Sequence, residues 1–494
     1  MNDKTKLGVR ILAAALLLGV LGDLLLRVVP WGINATLWIA GLVVVVFLAA
    51  RHTALAGAGR WLLLPLLLFS IAFVWRDSPA LKMLNVLALL VALSLAVLRA
   101  QGCRILRAGI MEYILGSLIA GLNAALGLLP LLFGEMQWKE VVNNRVSGRA
   151  LAVLRGLLLA VPVVLAFGGL FVAADAVFEG LARRVLHVNF ATLFSHAFVT
   201  IFFAWIVAGF LRGLLIGRER ELATGWRPPV FSLGIIETGI VLGLLDLLFL
   251  LFVLVQLRYL FGGAALVGVT PGLTYSAYAR RGFFELVLAA ALVLPLLLLI
   301  HWLLRKENPV DEHIFRGLAG VQILLLFVIM ASALQRLRLY QNEYGLTEQR
   351  LYPTAFLGWL AVVFVWFALT VLRGRRERFA FGAMVAGYLL LATLHFLSPE
   401  AFVVRVNAAR AAAGRSFDVR YALSLSADAV PQLISALPSL NPQDRGAVAD
   451  HLLRRWSSPD GSWRTWSLAR ARARRAVAEN TAALLAATCP ERQN

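Results

Sequence analysis

The chain has 494 residues, of which 60% are hydrophobic and only 15% are charged. Soluble domains are about 45–50% apolar and about 25% charged, so a soluble fold would have no interior large enough for these apolar side chains. The mean hydropathy of +0.80 agrees with this comparison. We therefore expect an integral membrane protein.

The formal net charge of +20 would suggest nucleic-acid binding in a soluble chain. Here the basic residues lie in short stretches between apolar runs, which is typical of topology signals and contacts with anionic lipid headgroups. Cys103 and Cys489 are far apart and belong to no disulfide or zinc pattern. We expect the lipid bilayer as a partner, and neither nucleic acid, nor a cofactor, nor a metal.

The apolar runs are rich in Leu, Val and Ala and do not alternate, which favours membrane-spanning helices over a β-barrel. The basic N-terminus followed by an apolar run could also be a signal peptide, but the run continues without a small-residue cleavage pattern. Twelve runs are expected to span the membrane, approximately Ile11 to Val29, Ile33 to Ala50, Trp61 to Trp75, Leu81 to Leu98, Ile110 to Phe133, Leu151 to Ala174, Phe190 to Leu211, Val230 to Leu257, Phe283 to Leu304, Leu318 to Leu334, Thr354 to Leu372 and Phe379 to Leu397.

Basic residues in short loops predict which side of the membrane each loop occupies. They place the N-terminus in the cytoplasm. With twelve spans, however, the basic loops around Arg212 and Arg373 would lie outside, contrary to the same rule. Either the span count between Ile110 and Leu211 is wrong by one or the rule is violated, so the side of the C-terminus stays open.

Ionisable residues inside spans point to a bundle interior, a partner or a transport pathway. Asp23 and Arg27 are four residues apart near the end of the first span, so we expect them to pair with each other. Glu237 and Asp246 lie in the eighth span, but nine residues place them on opposite helix faces and about 13 Å apart along the axis.

Asp246 shares a stripe with Gly239 and Gly243. Such a stripe permits close helix approach, which would turn Asp246 towards protein. A structural hydrogen bond and a role in transport are the two alternatives for this side chain. We find no metal-ligand spacing, phosphate-binding loop or nucleophile elbow, which disfavours an enzyme with a soluble type of active site.

The last hundred residues differ in composition from the spans. From Ser398 onward there are thirteen Arg, no Lys and eight Asp or Glu. Trp456, Trp463 and Trp466, followed by several arginines, could lie on an anionic membrane surface. Arginines two residues apart point in different directions on a helix, however, so a small solvated helical domain is the alternative.

Several stretches resemble the signature of a bacterial membrane-protein family known only as a domain of unknown function. They are LFVLVQLRYLFGG, LTYSAYARRGFFEL, ASALQRLRLYQNEYGLTEQRLYP, VNAARAAAGRSFDVRYALSLSADAVPQL, FVAADAVFEGL and WRTWSLARARA. The resemblance extends over roughly Leu170 to Ala473. It departs at Arg281, where the family often has an acidic residue. It implies a fold and a membrane location but no activity.

The residues of these stretches gather in the connections after the eighth and tenth spans, which regular alternation puts on one side. We therefore predict an Arg/Tyr-rich interfacial cap for an anion or a protein partner, with ordinary snorkelling and aromatic anchoring as the alternative. The predicted cap consists of Tyr278, Arg280, Arg281, Arg336, Arg338, Tyr340, Tyr344 and Arg350.

Together these features predict an all-α, polytopic transmembrane helical bundle of about 12 spans. The expected regions are a four-span part (1–108), a family membrane domain of about eight spans (109–397) and a polar, Arg-rich helical segment (398–494). The leading hypothesis is a non-enzymatic sensor, scaffold or assembly factor of the bacterial inner membrane, with a membrane or cell-envelope protein as partner. The alternatives are a secondary transporter using Asp246 and Glu237 and, less favoured, a membrane-embedded lipid or glycan transferase.

Overall fold

The computed structural model describes residues 2–49, 60–138, 190–217, 232–269, 283–305, 308–458 and 461–488, with isolated positions between 156 and 180. These residues form helices and turns, and no strand occurs among them apart from one isolated bridge between Leu233 and Leu304. The predicted all-α class is therefore confirmed for this part of the chain.

In the continuous ranges that the structure describes, the membrane part contains twelve helices. They are α1 (Asp3–Leu26), α2 (Ile33–Ala49), α3 (Leu63–Trp75), α4 (Pro79–Ala100), α5 (Ile110–Leu126), the short α6 (Leu128–Pro130), α7 (Phe190–Leu215), α8 (Ile235–Val269), α9 (Phe283–Leu303), α10 (Pro309–Tyr344), α11 (Glu348–Thr370) and α12 (Phe379–Leu397). Among the described residues, eight helices are long and apolar enough to cross a membrane, and α2 and α3 are shorter apolar helices. The count of about twelve spans stays a prediction.

The first four helices run back and forth in one bundle, because each packs against the next. We call the end at which α1 begins the N-terminal end. We call the opposite end, at which α1 finishes, the domain end. α7 runs antiparallel to α1, since Ser195 and His196 contact Arg27 and Asp23 at the domain end. Gly19 of α1 permits this packing, because a Cβ there would lie 2.5 Å from the carbonyl oxygen of Thr200.

The predicted fifth span, Ile110 to Phe133, is broken. α5 and the segment Leu128–Glu135 meet at an angle of 56°. α5 begins beside the end of α4, yet the segment after the bend returns to the start of α1, where the Gln137 amide donates to Thr5 Oγ1 over 3.3 Å. Both ends of this element lie at the N-terminal end of the bundle, so it re-enters instead of crossing.

The remaining membrane helices alternate in direction. α8 begins beside the end of α9, because the Leu233 amide donates to the Leu303 carbonyl over 2.9 Å. α10 begins a few residues later, at the same N-terminal end, and packs along α8. The helical turn Arg376–Arg378, just before α12, contacts the turn Ile105–Arg107 after α4. Arg212 and Arg373 therefore lie at the N-terminal end, which agrees with the alternative that the span count between Ile110 and Leu211 is wrong by one.

The C-terminal residues form a compact helical domain at the domain end. Its helices are α13 (Pro399–Ala412), α14 (Val419–Ser424), α15 (Val430–Ala436), α16 (Pro442–Trp456), α17 (Leu468–Glu479) and α18 (Thr481–Thr488). They share a hydrophobic core that includes Val403, Val430, Leu452 and Val477. Trp456 is buried in this core, so the alternative of a small packed domain describes most of the segment better than a surface-lying helix.

Candidate functional site at the junction of the membrane helices and the C-terminal domain

A three-residue turn joins α3 to α4 at the domain end and supplies the first part of the site. α3 ends at Trp75, and Pro79 starts α4 where a missing amide hydrogen costs nothing. Arg76 is extended between them, with φ −118° and ψ 149°. The sequence Arg-Asp-Ser therefore projects two charges and two free amides towards the C-terminal domain.

Asp428 of the C-terminal domain binds this turn. Its Oδ2 accepts the amides of Asp77 over 2.6 Å and Ser78 over 3.0 Å, and its Oδ1 lies 3.2 Å from Arg76 Nη1. The carboxylate thus binds the two amides just before α4 and lies near the N-terminus of this helix, where the helix dipole favours negative charge. Burial raises the pKa of Asp428, and these donors oppose that rise.

Asp77 forms the second and third ion pairs of the site. Its Oδ1 lies 2.6 Å from Lys82 Nζ on α4, and its Oδ2 lies 3.0 Å from Arg470 Nε on α17. The side chains of Asp77, Lys82 and Arg470 are all largely buried. We call Arg76, Asp77, Lys82, Asp428 and Arg470 the ionic junction. It connects one membrane turn to two separate parts of the C-terminal domain.

Two acidic side chains lie beside the ionic junction. Glu400, at the start of α13, is 1% exposed, and its Oε2 accepts the amide of Ser426 over 2.6 Å. Burial raises the pKa of Glu400 to about 7, with a smaller contribution from the neighbouring carboxylates of Glu348 and Asp428. The amide of Glu348, at the start of α11, donates to the hydroxyl of Tyr421 over 2.8 Å.

Several buried polar atoms near the ionic junction have no hydrogen-bond partner within the described part of the chain. They include Asn85 Nδ2, Glu348 Oε1, His395 Nδ1 and Ser398 Oγ. These four atoms come from four different segments. Buried polar atoms are normally satisfied by protein or water, so this is where the junction can take up water or a small polar ligand. No group of three His, Cys, Asp or Glu side chains in the described residues is arranged to hold a metal ion.

Part of the predicted cap comes together next to this site. The guanidinium of Arg350 lies 4.1 Å from the centre of the Tyr340 ring, and the Tyr340 and Tyr344 rings lie 5.0 Å apart. Arg338 is exposed and Arg336 is buried in α10. Tyr278, Arg280 and Arg281 lie outside the described residues.

The cap residues surround the turn between α10 and α11, which the C-terminal domain holds in place. Asn407 exchanges two hydrogen bonds of 2.8 Å with the backbone of Leu346, and Arg410 donates to the carbonyl oxygens of Asn342 and Glu343. The described cap residues thus belong to a contact between the bundle and the domain, and their role as an anion site stays a prediction.

The two intramembrane acids differ in environment. Glu237 is exposed in the first turn of α8, near the N-terminal end. Asp246 is only 8% exposed, as expected for a side chain turned towards protein. Gly239 and Gly243 do not cause this, since a Cβ at either would have no neighbour within 4 Å. The predicted pairing of Asp23 with Arg27 is confirmed, at 3.2 Å, and His196 adds a third partner.

Sequence reasoning missed the ionic junction and its two neighbouring acids. Arg76 and Asp428 are separated by 352 positions, so no local pattern relates them. The signal available in the sequence was the charged pair Arg76–Asp77 in a very short connection between two spans. A connection of this length has no long loop that could solvate both charges, which indicates a partner elsewhere in the chain. Glu348 and Asp428 also lie in stretches that carry the resemblance described above.

A family model described as "Domain of unknown function (DUF4153)" matches residues 63–436. The chain belongs to the DUF4153 family. This match begins at α3, earlier than the resemblance in individual motifs, and ends within the C-terminal domain. Four members of the ionic junction and both neighbouring acids lie inside the DUF4153 match, whereas Arg470 lies beyond it. Neither a curated protein nor a solved structure matches the chain.

Proposed function

We propose that this protein is a non-enzymatic scaffold or sensor of the bacterial inner membrane, which presents its C-terminal domain to a cell-envelope protein. The observation that carries this proposal is the ionic junction. Its five charged side chains form three largely buried ion pairs, and removing one partner of such a pair is strongly destabilising. A domain held in this way keeps a fixed orientation on the bundle.

The same contacts link the domain to the membrane helices. The domain contacts the α3–α4 turn through Asp428 and Arg470, and the α10–α11 turn through Asn407 and Arg410. It also contacts the start of α2, where the Ile33 amide donates to the Trp466 carbonyl over 2.9 Å. A displacement of the domain by a partner would therefore act on several membrane helices, which is the coupling that a sensor needs.

The charge distribution supports a sidedness. Lys and Arg residues are concentrated at the N-terminal end of the bundle, and we assign that end to the cytoplasm by the positive-inside rule. The C-terminal domain then lies on the extracytoplasmic side. The basic residues at the N-terminal end include Lys4, Lys6, Arg99, Arg104, Arg107, Arg212, Arg305, Arg373, Arg375, Arg376 and Arg378.

Thiol accessibility tests the sidedness. In a background without Cys103 and Cys489, Ser458→Cys reports on the domain and Glu377→Cys on the N-terminal end, since both positions are exposed. We expect a membrane-impermeant maleimide to label Ser458→Cys in spheroplasts and Glu377→Cys only after the membrane is opened. The reverse pattern would refute the sidedness without touching the scaffold proposal.

Site-specific photocrosslinking tests the scaffold. A photoreactive residue at the exposed Arg475 on α17 should give an adduct of one defined mass in cells, and the same residue at Glu377 serves as control. Asp77→Asn, which loosens the ionic junction, should weaken the Arg475 adduct. Identical patterns at Arg475 and Glu377, or no adduct at Arg475 or at any other exposed position of the domain, would refute a scaffold.

Secondary transport is the second candidate, and the burial of Asp246 within the bundle favours it. Proteoliposomes that contain the wild type would then show a proton-dependent flux that Asp246→Asn abolishes while the protein stays folded. An equal flux in the two proteins would contradict a role of Asp246 in transport.

A further inference from the structure

Several polar side chains in the described membrane helices are buried without a hydrogen-bond partner, and two of them lie at the middle of helices that pack against each other. Asp246 on α8 is 8% exposed, and Gln322 on α10 is 0% exposed. Both carboxylate oxygens of Asp246 and both polar atoms of the Gln322 amide lack a hydrogen-bond partner among the described residues. Polar groups at such positions are expensive, so their presence points to a ligand or a function.

The two side chains lie at the same depth. α8 and α10 begin at the same end of the bundle, since Leu233 pairs with the backbone of Leu303 and Arg305, and Pro309 starts α10 directly afterwards. The helices then pack along each other. Asp246 is thirteen residues beyond Leu233, and Gln322 is thirteen beyond Pro309. At about 1.5 Å per residue, each is about 20 Å from its starting end.

They also lie on the faces that the helices use for packing. The buried positions of α8 include Thr238, Leu242 and Asp246, which recur every four residues along one stripe. Leu242 belongs to the core cluster formed with Ile323 and Leu326 of α10, which are next to Gln322. Asp246 therefore continues a stripe that faces α10, towards the layer that contains Gln322.

No charged side chain among the described residues forms a hydrogen bond with the carboxylate of Asp246. On α8 the nearest ionisable residues in sequence are Glu237 and Arg258, nine and twelve residues from Asp246. On α10 they are Arg316 and Arg336, six and fourteen residues from Gln322, and Arg316 pairs with Glu312 over 2.9 Å. The titratable residues of the neighbouring helices α9 and α11 lie near the helix ends: Glu285, His301, Glu348, Arg350 and Tyr352. An amide, by contrast, can serve a carboxyl group in both protonation states, because its carbonyl oxygen accepts from the acid and its NH₂ donates to the carboxylate.

We propose that Asp246 and Gln322 form a membrane-embedded proton-binding site, in which Asp246 takes up and releases one proton and Gln322 positions it in both states. The proton passes to and from a carboxylate oxygen with no other bond made or broken. This site is separate from the ionic junction and does not depend on the scaffold proposal.

Labelling with dicyclohexylcarbodiimide, an apolar carbodiimide, tests the proposal in the full-length protein in nanodiscs. The reagent reacts with a protonated carboxyl group in an apolar medium. The carboxyl proton moves to a carbodiimide nitrogen while the carboxylate oxygen adds to the central carbon, and the adduct rearranges to a stable N-acylurea. Mass spectrometry of the peptide containing Asp246 should show labelling at pH 6 that falls at least tenfold by pH 9.

Variants separate the role of each side chain. Glu237→Gln is the matched control, since it removes the exposed acid of the same helix and should leave labelling at Asp246 unchanged. Gln322→Met should shift the pH profile upwards, because the ionised form loses its NH₂ donor while the protonated form loses a weaker contact. An unchanged profile in Gln322→Met would overturn the role of Gln322.

Three results on the wild type would overturn the site itself. Equal labelling at pH 6 and pH 9 would mean a carboxyl group that stays protonated and exchanges nothing. An absence of labelling at every pH would mean a carboxylate that is permanently ionised or shielded. Protection from labelling by Na⁺ at constant pH would mean that the ligand of the site is a metal cation and not a proton.

Discussion

The acid at the start of α13 makes the attachment of the C-terminal domain depend on pH. Burial raises the pKa of Glu400 from its ordinary value of 4.5 to about 7. The docked state therefore binds this proton more tightly than a state in which Glu400 meets water. The contribution of Glu400 to the stability of the docked state is greatest below about pH 4.5. It falls as the pH rises to about 7 and is constant at higher pH. At about 1.4 kcal/mol per pKa unit, the difference amounts to about 3 kcal/mol.

Replacing Glu400 with Gln removes the titrating group but keeps an oxygen that can accept from Ser426. We expect Glu400→Gln to stabilise the docked domain by up to about 3 kcal/mol at pH 8, and we expect the stability of the docked domain to change little at pH 4.5. Hydrogen exchange of the Ser426 amide, which donates to Glu400, measures the opening free energy once the intrinsic pH dependence of exchange is removed.

The difference in opening free energy between wild type and Glu400→Gln reports on Glu400 alone, because the buried Asp428 is present in both proteins. Glu343→Gln is the matched control, since Glu343 is an exposed acid whose pair with Arg415, at 3.4 Å, contributes little. The reasoning is refuted if the opening free energies of wild type and Glu400→Gln change in parallel between pH 5 and pH 8.

Two further substitutions test how the domain is attached. Asp77→Asn leaves Lys82 and the guanidinium on α17 buried without their shared carboxylate, so we expect a loss of about 3 kcal/mol in the opening free energy of α17 by hydrogen exchange. Gly32→Ala would put a Cβ 2.3 Å from the carbonyl oxygen of Trp466, so we expect it to destabilise the docked domain by about 1–3 kcal/mol. Faster proteolysis of the domain measures this loss. Gly121→Ala is the control, because a Cβ there has no neighbour within 4 Å and should not accelerate proteolysis.

Local signals explain which parts of the molecule were predictable. Long apolar runs identify membrane helices because the hydrocarbon core requires them wherever they occur. The pairing of Asp23 with Arg27 was predictable because four residues fix their separation on a helix. The ionic junction was not, because it needs the α3–α4 turn and the C-terminal domain at the same end of the bundle. That condition depends on the direction of every span between them.

The stripe on α8 shows a second limit. Glycines every four residues indicate a surface that allows close approach, but they do not indicate that a helix uses it. The structure instead buries the adjacent stripe with Thr238 and Leu242, and Gly239 and Gly243 have open space beside them. Asp246 was correctly expected to face protein, but for a reason that the structure does not support. The position of Gln322 at the same depth on α10 could be found only from the packing of α10 along α8.

The re-entrant element shows why the span count was uncertain by one. An apolar run that crosses a membrane and one that turns back inside it need the same side chains, so composition cannot separate them. The distinguishing contacts are tertiary. Arg212 of α7 donates from Nη1 to Asn123 Oδ1 of α5 over 3.1 Å and from Nη2 to Glu135 Oε1, after the bend, over 2.5 Å. They hold the two arms together beside α7. If this element crossed the membrane, the basic loops after it would change sides and violate the positive-inside rule; because it returns, they fall at the same end as the N-terminus. The charge pattern in the sequence thus supports, independently of the packing, the topology that puts the C-terminal domain at the opposite end.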